Sequence, residues 1–148
     1  MIGGDTTRLG EFLPYLLSIT SNAVSQRIAR QYHVRFGLKV PEWRVMAVLG
    51  DVGAATQSRL TALTFMDKVA VNRACKGLEH RALLVRRPHD GDGRSHLLEL
   101  TAEGRRMFEE IMPLATQLES QLLDHLGEGE RETLKRILAI LREAALND

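Results

Sequence analysis

Apolar residues recur at helical spacing along most of this chain. Phe12, Leu16, Ile19 and Ala23 form one stripe, and Val24, Ile28, Tyr32 and Phe36 continue it on a neighbouring one. The pattern predicts a long first helix, with Pro14 near its start and Gly37 as its stop. Pro41 opens a second helix, which Trp43, Val45, Met46, Val48 and Leu49 make heavily apolar, and the stretch from Gly50 to Gly53 ends it. Thr56 is placed to cap a third helix, with Leu60, Leu63 and Thr64 on its inner side and Phe65-Met66 as the turn that follows. Asp67 caps a fourth. There Val71, Ala74, Cys75 and Leu78 fall on one stripe, leaving Lys68, Asn72, Arg73 and Lys76 pointing outward.

The period then changes. Leu83 to Arg87 reads as a strand, Asp90-Gly91-Asp92-Gly93 as a turn whose glycines tolerate positive φ, and His96 to Leu100 as the returning strand. Thr101 caps a long fifth helix carrying Met107, Ile111, Leu114, Leu118 and Leu122, in which Pro113 is expected to introduce a kink. Gly127-Glu128-Gly129 breaks the chain before a last helix with Leu134, Ile137, Leu138, Leu141 and Ala145.

Four helices, an arginine-bearing hairpin and two more helices make a mainly α chain with a small β-hairpin wing. The segment from Asp67 to Thr101, a polar-faced helix followed at once by that hairpin, has the shape of a winged helix-turn-helix. Its helix can enter the major groove of a duplex while the hairpin tip reaches the backbone or the minor groove. Residues 41–100 form the expected DNA-binding region. The flanking helices, 8–37 and 102–147, are too long and too apolar on one face to serve that unit alone. They call for a partner, most simply the same helices of a second copy. All 148 residues are thus expected to form a single domain with N- and C-terminal dimerisation helices.

Composition alters this picture little. Hydrophobic residues make up 44% and aromatic residues 5%, which suits helices better than a sandwich or barrel. The formal net charge of +1 is small for a DNA binder, so the distribution of charge decides. Between Arg81 and His96 lie Arg81, Arg86, Arg87 and Arg94, with His89 and His96, against only Asp90 and Asp92. No apolar run approaches the roughly 20 residues of a membrane helix, and Met1 to Asp5 lacks a basic region with an apolar core. A cytoplasmic protein without membrane contact is expected. The single Cys75 excludes an internal disulfide framework and CxxC zinc patterns. His33, His80, His89, His96 and His125 are scattered without metal-ligand spacing, so neither a metal nor a cofactor is expected.

Four segments, in order and at the right spacing, resemble the MarR family of bacterial transcriptional regulators. They are Pro41-Glu42-Trp43-Arg44-Val45-Met46-Ala47-Val48-Leu49, Thr56-Gln57-Ser58-Arg59-Leu60, Met66-Asp67-Lys68-Val69-Ala70-Val71-Asn72-Arg73, and Asp92-Gly93-Arg94 with Leu98-Glu99-Leu100-Thr101-Ala102-Glu103-Gly104. The resemblance spans nearly the whole chain. It implies a homodimer that binds a pseudo-palindromic operator on double-stranded DNA, usually as a repressor, and lets go when a small aromatic or anionic effector binds. Ser21-Asn22-Ala23-Val24-Ser25 together with Pro41-Glu42-Trp43-Arg44-Val45-Met46 and Asp67-Lys68-Val69 also resembles members that control aromatic-acid catabolism, some of which answer to acyl-CoA thioesters of hydroxycinnamates. Arg27, Arg30 and Arg35 are candidates to meet the phosphates of such a thioester. The chain departs from the family where many members carry small hydroxyl residues: here stand Val69, Ala70 and Asn72. Val69 and Ala70 cannot bond phosphate.

Lys68, Arg73 and Lys76 would in isolation be ordinary solvated charges, but beside a basic hairpin they read as phosphate contacts. Arg73 is suited to guanine O6 and N7, and Asn72 to adenine N6 and N7. The resemblance makes Arg94 the wing-tip arginine, drawn to a narrow A·T minor groove, and Asp92 the group that orients it. Arg86 and Arg87 are expected at phosphates, unless a stem covers apolar surface instead. Thr56, Gln57, Ser58 and His89 complete the expected DNA-facing set. For the effector the candidates are Tyr15, Ser18, Asn22, Arg30, Trp43 and Arg44, around the first and second helices. Ser18 and Asn22 stand one turn apart on an otherwise apolar face.

Two alternatives stand beside the regulator. One is a winged-helix module that binds protein. The other is an oxidation-sensing repressor acting through Cys75, although that residue's place on the inner stripe favours an inert, buried thiol. A phosphate-binding glycine loop and a G-x-S-x-G elbow are both missing, and Glu109-Glu110 and Glu128-Gly129-Glu130 read as solvated carboxylates, so an enzyme is not expected.

Overall fold

The computed structural model describes residues 8–89 and 92–147, and for residues 92–94 the backbone alone. The elements, after a short 3-10 turn at Leu9–Glu11, are α1 (Leu13–Phe36), α2 (Val40–Val52), β1 (Ala54–Ala55), α3 (Gln57–Thr64), α4 (Lys68–His80), β2 (Leu84–His89), β3 (Asp92–Leu100), α5 (Ala102–Leu123) and α6 (Glu130–Leu146). The expected mainly α architecture with a small antiparallel sheet is the one found. The chain divides into two compact units, Met1–Met112 and Pro113–Asp148.

Local chemistry sets most of the element ends. Gly37 takes the left-handed conformation (φ 70°) that closes α1. The Arg81 guanidinium then donates to the last carbonyls there, Phe36 O at 2.7 Å and Gly37 O at 3.3 Å. Glu42 carboxylate accepts from the Lys39 backbone N–H at 2.9 Å, and Pro41 stands in the first turn of α2. Thr56 Oγ1 accepts from Arg59 N, and Asp67 Oδ1 from Ala70 N at 2.8 Å, so both expected N-caps are present. Thr101 Oγ1 accepts from Gly104 N at the head of α5 and donates to Ala82 O at 2.7 Å.

In the first unit, Val45, Met46 and Leu49 of α2, Leu60 of α3, and Val71, Ala74, Cys75 and Leu78 of α4 close around Leu38, Leu83, Leu84, Leu98 and Ile111. Trp43 is half-buried between two aromatic neighbours, its ring centroid 5.6 Å from that of Tyr32 and 6.0 Å from that of Phe108.

Three expectations need correction. Leu63 is 40% exposed, not on the inner side: α3 has only eight residues and fills its core contact with Leu60. A third strand, β1, was not foreseen, since two alanines carry no periodicity. It pairs with β3 through Ala54↔Glu99 and Ala55↔Leu98, giving the sheet order β1-β3-β2. The hairpin is longer than the apolar residues suggested. β2 runs through Pro88 to His89 and β3 begins at Asp92, which puts Asp92 and Gly93 in the strand. The expected turn at Asp90 and Gly91 lies outside the described residues. Pro113 lies inside α5, which runs on to Leu123.

Candidate nucleic-acid interface

The buried stripe of α4 determines what the helix shows to the outside. Val71, Cys75 and Leu78 have no exposed surface and Ala74 has 3%, so the helix is fixed in rotation about its axis. Lys68, Arg73 and Lys76 are exposed and Asn72 is half-buried. The Asp67 carboxylate sits where the unpaired N–H groups of the first turn of α4 emerge. Val69 is 66% exposed and apolar, so its side chain offers phosphate no hydrogen bond.

Two open grooves border this face. One, of about 540 Å³, is lined by Asn72, Lys76, Glu79, His80 and Arg86, between α4 and β2. The other, of about 460 Å³, is lined by Thr56, Gln57, Ser58, Arg86, His89, Ser95 and His96, between the start of α3 and the hairpin. Arg86 borders both. Of the twelve residues expected to face DNA, Thr56, Gln57, Ser58, Asn72, Lys76, Arg86 and His89 thus line two adjoining grooves. Lys68, Arg73 and Arg87 are exposed nearby in sequence. Arg73 and Lys76 also line a third cavity of about 510 Å³ with Lys39, Glu42 and His80. The side chains of Asp92 and Arg94 lie outside the described residues.

Several polar groups in these grooves are held by partners. Gln57 Nε2 donates to Asn72 Oδ1 at 3.3 Å, joining α3 to α4. His89 Nδ1 and Ser95 Oγ are 3.3 Å apart across the hairpin. Arg86 and Arg87 of β2 are ion-paired. Arg87 Nε lies 2.8 Å from Glu99 Oε1, and Nη2 donates to Glu99 Oε2 at 3.0 Å. Arg86 Nη2 donates to Glu79 Oε1 at 2.7 Å, and Nε approaches both carboxylate oxygens at 3.3 Å. The hydrogen bond from Arg86 to Glu79 raises the guanidinium pKa. Glu79 was missed in the sequence, although Asn72, Lys76 and Glu79 stand at i, i+4 and i+7 and so share a face.

Cys75 sits behind this pair. Burial pushes its thiol up to about 11, with Arg86 pulling the other way and Glu79 adding to the rise. Oxidants attack thiolates, and a fully buried thiol with a raised pKa offers little thiolate near neutrality. Burial and the raised pKa both favour the inert thiol over the oxidation-sensing alternative. Among the described residues no group of three or more His, Cys, Asp or Glu is placed to hold a metal ion, and no helix is long and apolar enough to cross a membrane.

The expected effector residues are less concentrated. Tyr15, Ser18, Asn22 and Arg30 are exposed along α1, and Arg44 is exposed on α2 beside the half-buried Trp43. None of them lines the three cavities above. Burial raises the Tyr32 hydroxyl pKa, which the nearby Arg44 partly offsets.

Residues 36–95, the stretch from the end of α1 to the hairpin, match the sequence profile of the MarR family. A MarR family transcriptional regulator from Silicibacter pomeroyi is 30% identical and superposes with a TM-score of 0.81 over 95% of this chain and 99% of that one. Bordetella bronchiseptica BpsR, whose DNA binding is regulated by 6-hydroxynicotinic acid, is 26% identical with a TM-score of 0.81, over 97% and 99%. The transcriptional repressor NicR of Pseudomonas putida is 29% identical over 103 residues, which is 70% of this chain but 63% of NicR's own length. A recognition helix locked by its buried stripe, a three-stranded wing and likeness over the full length of solved regulators leave one assignment: the chain belongs to the MarR family of DNA-binding transcriptional regulators.

Proposed function

We propose that the protein is a homodimeric repressor that grips a pseudo-palindromic operator and releases it when a small aromatic acid binds. The outward basic face of α4, seated between two grooves, carries this reading. Lys68, Arg73 and Lys76 meet phosphates or guanine edges, Asn72 meets a base edge, and Arg94 extends the contact from the wing. Two α4 helices about 34–36 Å apart enter successive major grooves on one side of the duplex.

Dimerisation is supported by apolar side chains left open in each unit. On and before α1 these are Leu9, Phe12, Leu13 and Leu17, between 40% and 58% exposed; on α6 they are Leu134, Ile137, Leu138 and Ile140, between 40% and 53%. Such stripes mark protein contact surfaces. Repression is supported by the name of NicR, and an aromatic acid by the 6-hydroxynicotinic acid of BpsR. Tyr15, Ser18, Asn22, Arg30, Trp43 and Arg44 are its proposed contacts, the arginines meeting the carboxylate. An acyl-CoA thioester of such an acid is the second effector class, met by the same arginines. Either ligand shifts DNA affinity only by its difference in affinity for the two dimer geometries.

The test is selection of bound duplexes from a random pool, followed by release of the selected site with aromatic acids and, separately, their CoA thioesters. An inverted repeat with half-sites one helical turn apart is expected. Sequence-independent binding alone, or none, refutes the operator, and a monomer by ultracentrifugation refutes the dimer.

A further inference from the structure

The hairpin's arginines read in the sequence as phosphate contacts, yet Arg86 spends its guanidinium on Glu79. The pair is half-buried, each side chain about 30% exposed, and three donor–acceptor contacts hold the guanidinium edge against the carboxylate. It links the last turn of α4 to β2 across only seven residues of chain. Because Arg86 borders both grooves, the pair stands between the α4 face and the groove at the start of α3.

Resting on the DNA-reading function above, we propose that Glu79 is a specificity-determining residue: by holding Arg86 it removes one cation from phosphate binding and fixes the wing to the reading helix. Two consequences follow from charge alone. Phosphate contacts favour every duplex equally, so a neutralised arginine lowers affinity for random DNA more than for the operator, whose base contacts depend on a fixed helix and wing. A bare carboxylate beside phosphate is repulsive, so Glu79 is tolerable at this surface only while Arg86 covers it. Arg86 is then a positioning residue, and Arg87, 53% exposed and paired to Glu99 on the central strand β3, is not equivalent to it.

The variants are Glu79→Gln, which keeps the shape and removes the charge, Arg86→Gln, and the double variant, each as the full chain. Binding to a random duplex and to the selected operator is measured across salt concentrations, with thermal unfolding of each variant alongside. Glu79→Gln frees Arg86 for phosphate. The slope of log affinity against log salt steepens by about 0.9, the share of one phosphate. Random-duplex affinity rises roughly two- to fivefold, the range of one exposed charge contact, and the ratio of operator to random affinity falls. Arg86→Gln exposes the carboxylate and weakens both duplexes, and adding Glu79→Gln restores random-duplex binding to near the wild-type level and slope.

A Glu79→Gln protein that loses stability but keeps its slope and its affinity ratio makes the pair a structural staple only and overturns the proposal. So does a slope that drops by about 0.9 in Arg86→Gln and stays down in the double variant, since Arg86 then reaches phosphate despite Glu79. Wild-type protein without salt-dependent duplex binding overturns the DNA-reading function itself, and this proposal with it.

Discussion

Gly104→Ala is the most exacting probe of how α5 sits on the reading unit. A Cβ built on Gly104 lands 2.0 Å from the Leu83 carbonyl oxygen and 3.0 Å from its carbon. The obstacle is backbone, and it is fastened. Leu83 N donates to Leu78 O at 2.9 Å, Thr101 N donates to Leu83 O at 3.1 Å, and Thr101 Oγ1 donates to Ala82 O at 2.7 Å. Relief needs either α5 or the α4–β2 turn to withdraw by about an ångström, which strains the core by about 1–3 kcal/mol. It also stretches the Thr101–Leu83 hydrogen bond, worth about 1 kcal/mol. Against this stands the better helix propensity of alanine, about 1 kcal/mol. The net loss is about 2 kcal/mol, or roughly 4–8 °C in the melting midpoint for a chain of this size. Circular dichroism melts at one fixed protein concentration measure it, since dimerisation would otherwise shift the midpoint. Gly10→Ala is the control, because its Cβ meets nothing within 4 Å. A Gly104→Ala protein as stable as wild type, or more stable, would refute the claim that this contact is tight.

Asp67→Ala removes the acceptor for Ala70 N and lowers stability by about 1 kcal/mol, read by urea unfolding; no change in the midpoint would mean that water replaces the cap without loss. Cys75 keeps its proton in the fold up to about 11 against an ordinary value of 9.0. The unfolded chain loses that proton first as pH rises, so stability contributed by the buried thiol is intact below pH 9 and drains away between pH 9 and about 11. Cys75→Ala should flatten that part of the stability–pH curve, and alkylation of native Cys75 near pH 8 should proceed no faster than local opening. Gln57→Ala frees Asn72 Oδ1 from its one described bond, so base preference at a single position of the half-site should move toward adenine, seen by repeating duplex selection. An identical selected sequence would exclude Gln57 as a guide for Asn72.

The helices were legible because each combines an apolar stripe with a chemical stop. Asp67 and Thr56 were readable as caps, Gly37 as a C-terminal stop, and the stripe Val71, Ala74, Cys75, Leu78 as core. Short or long-range features were not. Ala54 and Ala55 owe their strand to pairing with Glu99 and Leu98, and nothing local marks two alanines as β. Leu63 was misplaced because an eight-residue helix turns barely twice, too little for periodicity to separate its faces. At the candidate site, residue types pointed to charge but not to its partners. Glu79 and Glu99 reach Arg86 and Arg87 only once α4 and the strands have folded.

The stripe that stabilises α4 also limits how DNA reading can be regulated. Rolling the helix enough to withdraw Arg73 from a groove would bring Val71, Ala74, Cys75 or Leu78 toward water. Fully exposing one buried valine or leucine alone costs about 1.5–3 kcal/mol. Allosteric couplings are about 1–3 kcal/mol in total, so a ligand has no free energy to spare for rolling. Nor can α4 slide freely away from the wing while Arg86 holds Glu79 at its last turn. In the proposed dimer, whatever changes the grip on DNA therefore has to carry α2, α3, α4 and the wing together, altering the distance between two reading heads and not the reading face of either. A variant that abolished ligand release by substitutions inside the α4 core, with α1 and α6 untouched and stability preserved, would contradict that division of labour.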